Sequence, residues 1–117
     1  MQKHVLAVTI FLMATTGFAS AQNRGEAREQ VDFGISVAQR ELWREAIYRW
    51  ERAVELDPAY AAAHNNLAVA YEHEGELDRA KAAYERALEF EPDNQFIQQN
   101  YELFMEINDR TASAEIR

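Results

Sequence analysis

Apolar and small residues recur along most of the chain at three- and four-residue intervals, the spacing of one helix face, and the pattern breaks where a chain would turn. Phe33, Val37 and Ala38 predict a first helix over about residues 26 to 40. Leu42, Ala46, Ile47, Trp50, Ala53, Val54 and Leu56 predict a second that ends before Pro58. Leu67, Ala68 and Tyr71 mark a third over 61 to 74, with Gly75 as the turn. Leu77, Ala80, Ala83, Tyr84, Ala87 and Leu88 mark a fourth that ends before Pro92. Asp57-Pro58 and Glu91-Pro92 punctuate the pattern, because proline disfavours helix in the residue before it and starts a new one easily. A fifth helix is expected over 94 to 108. Gln95, Gln98, Gln99, Glu102, Glu106 and Asp109 form its polar arc, and Phe96, Ile97, Tyr101, Leu103, Phe104, Met105 and Ile107 fill the rest.

The landmarks repeat. Ala46, Ala53 and Pro58 return as Ala80, Ala87 and Pro92, each 34 residues later, so residues 27–60 and 61–94 are two copies of one unit. Such a period, with small residues where helices meet and proline at the end, marks an array of helical hairpins. Gly34 or Ala68, Tyr71, Ala46 or Ala80, Trp50 or Tyr84, Ala53 or Ala87, and Pro58 or Pro92 fall on one pattern. On these positions the chain resembles the tetratricopeptide repeat (TPR) family. Its fourth position departs from that family's aromatic, with Gln30 and His64 instead. The resemblance implies an all-α hairpin solenoid, with two repeats and a capping helix over 95–109; residues 110–117 carry no strong pattern and are expected to fray.

The N-terminus carries a different signal. Lys3 and His4, an apolar run from Val5 to Phe18, and Ala19-Ser20-Ala21 have the order of an export signal over 1–21, cleaved before Gln22. The run is shorter than the roughly 20 residues needed to span a bilayer, so no stable membrane insertion is expected. Residues 22–26 would be a short extension before the first repeat. The expected address is the periplasm in a Gram-negative source and secretion otherwise. Without cysteine there is no disulfide framework and no thiolate metal site, so packing alone must hold the fold. The formal charge of -8, or -9 once Lys3 is removed, argues against nucleic acid and favours neutral or basic partners.

In a stack of hairpins the first helix of each unit lines a concave groove, and residues 34 apart form rows across it. Ile35, Val69 and Leu103 make an aliphatic row; Val31, Asn65 and Gln99, then Asp32, Asn66 and Asn100, make rows rich in amides. An amide both donates and accepts, so it can pair with the main chain of a bound peptide or helix; Asn65 and Asn66, adjacent and poor helix formers, are expected to hydrogen-bond either a ligand or a neighbouring helix. With Phe96 and His73 these rows give the expected protein-binding groove: Val31, Ile35, Asn65, Asn66, Val69, His73, Phe96, Gln99, Asn100 and Leu103. The family resemblance also implies a test for a carboxylate clamp at Val31, Ile35, Asn66, Phe96 and Asn100. Only Asn66 fits, and the basic residues are absent. No catalytic residue, cofactor or metal site is expected, since His64 and His73 lie nine apart on one helix and cannot act as an i, i+4 metal pair. The expected function is therefore a non-enzymatic adaptor or assembly factor of the periplasm or envelope. The competing expectation is a structural protein that self-associates through its apolar last helix.

Overall fold

The structure, a computed structural model, describes the backbone of residues 2–115 and side chains from Ser20 onward. The described residues form five helices: α1 Gln2–Ala38, α2 Trp43–Leu56, α3 Ala61–His73, α4 Leu77–Phe90 and α5 Gln95–Glu115. Each packs on the next, α1 with α2 and α3 with α4 as hairpins, and α5 against α4. This is the all-helical hairpin stack that the 34-residue period predicts. The side chains of the expected leader before Ser20 lie outside the described residues.

The two hairpins turn through the same hydrogen bonds, 34 residues apart. Leu42 N–H donates to the Val37 carbonyl (3.0 Å) and Glu41 N–H to Ala38 (2.9 Å); Glu76 N–H donates to Tyr71 (2.8 Å) and Gly75 N–H to Glu72 (3.0 Å). Both are Schellman closures, which need a left-handed residue after the helix. Gly75 supplies it at φ 74, whereas the first hairpin puts Glu41 there at φ 63. The proline breaks also repeat: Asp57 and Glu91 N–H each donate four residues back, to Ala53 (2.9 Å) and Ala87 (3.0 Å). His64 Nε2–H donates to the Pro58 carbonyl at 2.8 Å and Gln98 Nε2 to the Pro92 carbonyl at 2.6 Å. The polar fourth position thus ties each helix start to the preceding turn.

Alanine sets the helix spacing. Ala46, Ala53, Ala80 and Ala87 are fully buried, so the helices approach with no side chain between them. Aromatics fill what remains: Trp50 on α2 and Tyr84 on α4 are buried at equivalent places, and Phe104 of α5 tilts against Tyr84 at 5.4 Å. A side chain of this size contributes about 1.5–3 kcal/mol when buried.

Two boundaries differ from the sequence expectation. The extension at 22–26 is part of α1, which runs unbroken through the expected cleavage point. Residues 110–115, expected to fray, continue α5, where Arg110 pairs with Glu106 and Thr111 Oγ1 donates to the Ile107 carbonyl. The cause is shared: no proline interrupts either stretch, and Gln22, Arg24 and Glu26, like Arg110, Ala112, Ala114 and Glu115, are good helix formers that outweigh Asn23 and Gly25 or Thr111 and Ser113. Leu42, expected inside the second helix, sits just before it.

Candidate functional site

The first helices of the repeats, α1, α3 and α5, bring residues 34 apart to a common face. A groove of about 300 Å³ lies there, lined by Ile35, Ala38, Gln39, Trp43, Trp50, Asn65, Asn66, Val69, Phe96 and Asn100. Its walls are apolar or amide, and none of these residues carries a charge. Ile35 and Phe96 are well exposed, at 41% and 65%. Such a lining gives apolar contact together with a few uncharged donors and acceptors.

Six of the ten expected groove residues come together in it: Ile35, Asn65, Asn66, Val69, Phe96 and Asn100. Their amides differ in availability. Asn65 is buried and its Oδ1 accepts from Asn100 Nδ2 at 3.2 Å, so this pair ties α3 to α5 across the groove floor. Asn66, half-buried on the same wall, points into the groove with no such tie.

Four expected residues are not part of this groove. Val31 is a core residue at 4% exposure, and its carbonyl accepts from Trp50 Nε1 at 3.1 Å. Val31 belongs to the core cluster that holds Trp50, so it stays inside whatever row it shares with Asn65 and Gln99. His73 lies at the end of α3, where its ring stacks on Trp43 with centroids 3.9 Å apart and planes 12° apart. Gln99 is exposed outside the groove. Leu103 is 57% exposed, on the half of α5 that extends past it. Conversely, Ala38, Gln39, Trp43 and Trp50 line the groove without having been singled out for it. Rows counted along first helices omit the second helix, from which both tryptophans reach the groove.

Behind the groove, a polar joint locks one hairpin to the next. Tyr71 OH of α3 donates to Glu51 Oε1 of α2 at 2.9 Å, and Arg79 of α4 donates to the same phenol at 3.1 Å while lying 4.4 Å over its ring. Burial, then the Glu51 carboxylate, push the Tyr71 phenol up to about 12. Burial and the Glu72 carboxylate, 3.3 Å from its oxygen, push Tyr84 up as well. Glu72 is raised by its own burial, against the opposing effect of the Tyr84 hydrogen bond. The two phenols are thus held by packing between helices. Among the described residues no three His, Asp or Glu side chains gather as metal ligands would, and no helix is long and apolar enough to cross a membrane.

Comparison with known proteins agrees with this architecture. Residues 61–94 match the family described as Tetratricopeptide repeat, and residues 38–75 the one described as TPR repeat. Over 61 residues the chain is 41% identical to the Tetratricopeptide repeat domain-containing protein PYG7, chloroplastic, of Arabidopsis thaliana, a match spanning 52% of this chain and 20% of that protein. It is similar to the crystal structure of MamA, at 28% identity and a TM-score of 0.65, over 69% of this chain and 44% of that one. The Arabidopsis OM64 TPR domain shares the fold alone, at 18% identity and a TM-score of 0.70, over 75% of this chain and 73% of that domain. The chain thus spans a fifth of PYG7 and less than half of MamA. With its hairpins, its 34-residue landmarks and these matches, the chain is a tetratricopeptide repeat protein of two to three repeats.

Proposed function

We propose that the chain is a non-enzymatic adaptor or assembly factor that holds a neutral or basic peptide or helix in the groove between Ile35 and Phe96. Tetratricopeptide repeats are in general protein–protein interaction modules and typically non-catalytic scaffolds. The observation that carries the finer reading is the groove lining: apolar walls, no charge, and the Asn66 amide facing an open space of about 300 Å³. In this reading Ile35, Val69, Phe96 and Trp43 grip apolar side chains, and Asn66 pairs with the ligand's main chain. The leader-like residues 1–21 support a place in the periplasm or envelope, or secretion in a source without a periplasm.

A pull-down from the envelope or secreted fraction tests this, with wild-type chain as bait beside a variant carrying Ile35→Arg and Asn66→Ala. Ile35 is exposed enough for arginine to be accommodated without disturbing the core. A protein captured by wild type and lost with the variant supports the adaptor; equal capture by both contradicts it. The second reading, self-association through α5, rests on Phe96, Leu103 and Ile107, which are 65%, 57% and 54% exposed along one helix. Recovery of bait crosslinked only to itself would favour that reading.

A further inference from the structure

The two joints between successive repeats differ in the pair of side chains that closes them. At the first, Trp43 at the start of α2 stacks on His73 at the end of α3, with ring centroids 3.9 Å apart. The equivalent pair 34 residues on is Leu77 and Ile107, neither of them a ring. Both are largely exposed, at 43% and 54%. Where the first joint is closed, the second therefore has a depression of about 300 Å³, lined by Glu72, His73, Leu77, Phe104, Ile107 and Asn108. It shares Leu77, Phe104 and Asn108 with a further recess of about 330 Å³ beside it, so the two form one trough along α4 and α5. No residue of this trough lines the concave groove.

The trough has an apolar floor and an acidic rim. Phe104, Leu77, Ile107 and Met105 form the floor, while Glu72, Asp78, Asp109 and Glu115 stand around it. The one rim lysine, Lys81, lies 4.0 Å from Glu85 and is partly neutralised by it. Glu72 is held short of solvent by burial, and a nearby cation would relieve that. We propose that this trough docks a basic segment of a partner protein and seats one of its aromatic side chains over Phe104, between Leu77 and Ile107. The first joint shows that an indole fits this position of the repeat, and the rim supplies complementary charge for lysine or arginine beside the ring. A second copy of this chain, at -8, has the wrong sign for that rim.

The test uses the full chain, labelled for NMR, titrated with the peptide acetyl-Lys-Lys-Trp-Lys-Lys-amide. The expected shifts centre on Leu77, Ile107 and Asn108. Replacing the peptide's tryptophan by alanine, or its lysines by glutamates, should weaken binding by about tenfold or more. The double variant Leu77→Trp with Ile107→His rebuilds the first joint's ring pair, so it should fill the trough, melt higher than wild type and no longer bind. Should that variant misfold, Ile107→Lys, at an exposed position, removes apolar floor and adds the wrong charge, so it should cut binding by a similar factor with helicity unchanged. Shifts centred on Ile35 and Val69, equal affinity for the alanine peptide, undiminished binding to a folded variant, or no shifts at millimolar peptide would each overturn the proposal.

Discussion

The first and second hairpins solve the same packing problem with different pairs of residues. In the first, glycine faces tryptophan: a Cβ built on Gly34 would lie 2.3 Å from Trp50 Nε1, so the indole occupies the space a side chain would take. In the second, Ala68 keeps its Cβ and the smaller Tyr84 stands opposite. The larger ring gains a main-chain partner at the Val31 carbonyl, and the smaller one a carboxylate at Glu72. The turns show the opposite economy, since Gly75 adopts positive φ freely while Glu41 is strained at the same place. The repeat thus fixes geometry, and residues are exchanged in matched pairs to meet it.

That comparison breaks most sharply at Gly34. Gly34→Ala should destabilise by about 1–3 kcal/mol through overpacking, read from urea unfolding by circular dichroism. In a Trp50→Tyr background the same change should cost little, because that pair then copies Ala68 and Tyr84. Equal costs in both backgrounds would break the equivalence of the hairpins. At the turns, Gly75→Ala should cost about 1–2 kcal/mol, whereas Glu41→Gly should stabilise by up to about 1 kcal/mol in the same assay. Trp43→Leu, which turns the first joint into a likeness of the second, should lose about 0.5–1.5 kcal/mol and lower the melting temperature.

The smallest effect is silent at neutral pH. Tyr71 has its folded pKa pushed from 10.0 up to about 12, so its contribution is fully present below pH 10 and is lost as pH rises through 12. Unfolding midpoints should therefore fall more between pH 9 and 11 in wild type than in Tyr71→Phe. Identical slopes would mean that the Tyr71, Glu51 and Arg79 joint adds nothing to the stack.

Much of this architecture was legible in the chain because alanine, aromatic and proline positions recur at fixed offsets, and each has a local cause. The turns were legible at Gly75 and at the two prolines, but Glu41 carries no signal of positive φ. Helix ends were not legible where nothing breaks a helix, as at 22–26 and 110–115. For the site, rows counted along first helices hold Ile35, Asn66, Val69 and Asn100, which line one groove together with Phe96. The same rows put Val31 in the groove, whereas it packs in the core cluster that holds Trp50, nineteen residues away, whose indole also donates to its carbonyl. Of the two roles expected for Asn65, ligand or inter-helix hydrogen bonding, its amide oxygen takes the second, accepting from Asn100 across the groove. Side chains that meet across elements leave no mark in the periodicity of either one.

The proposed capture surface is the concave groove. The most direct measurement is photocrosslinking in the source cells, with benzoylphenylalanine placed at Ile35 in the groove or at Tyr48 on the outer face of α2. Tyr48 is 58% exposed and borders a separate surface with Glu51, Arg52 and Glu55. A groove that captures a partner should give a discrete heterologous adduct from Ile35, absent from Tyr48 and lost when Asn66→Ala is added. Adducts of equal yield from both positions, or only self-adducts from Ile35, would contradict it.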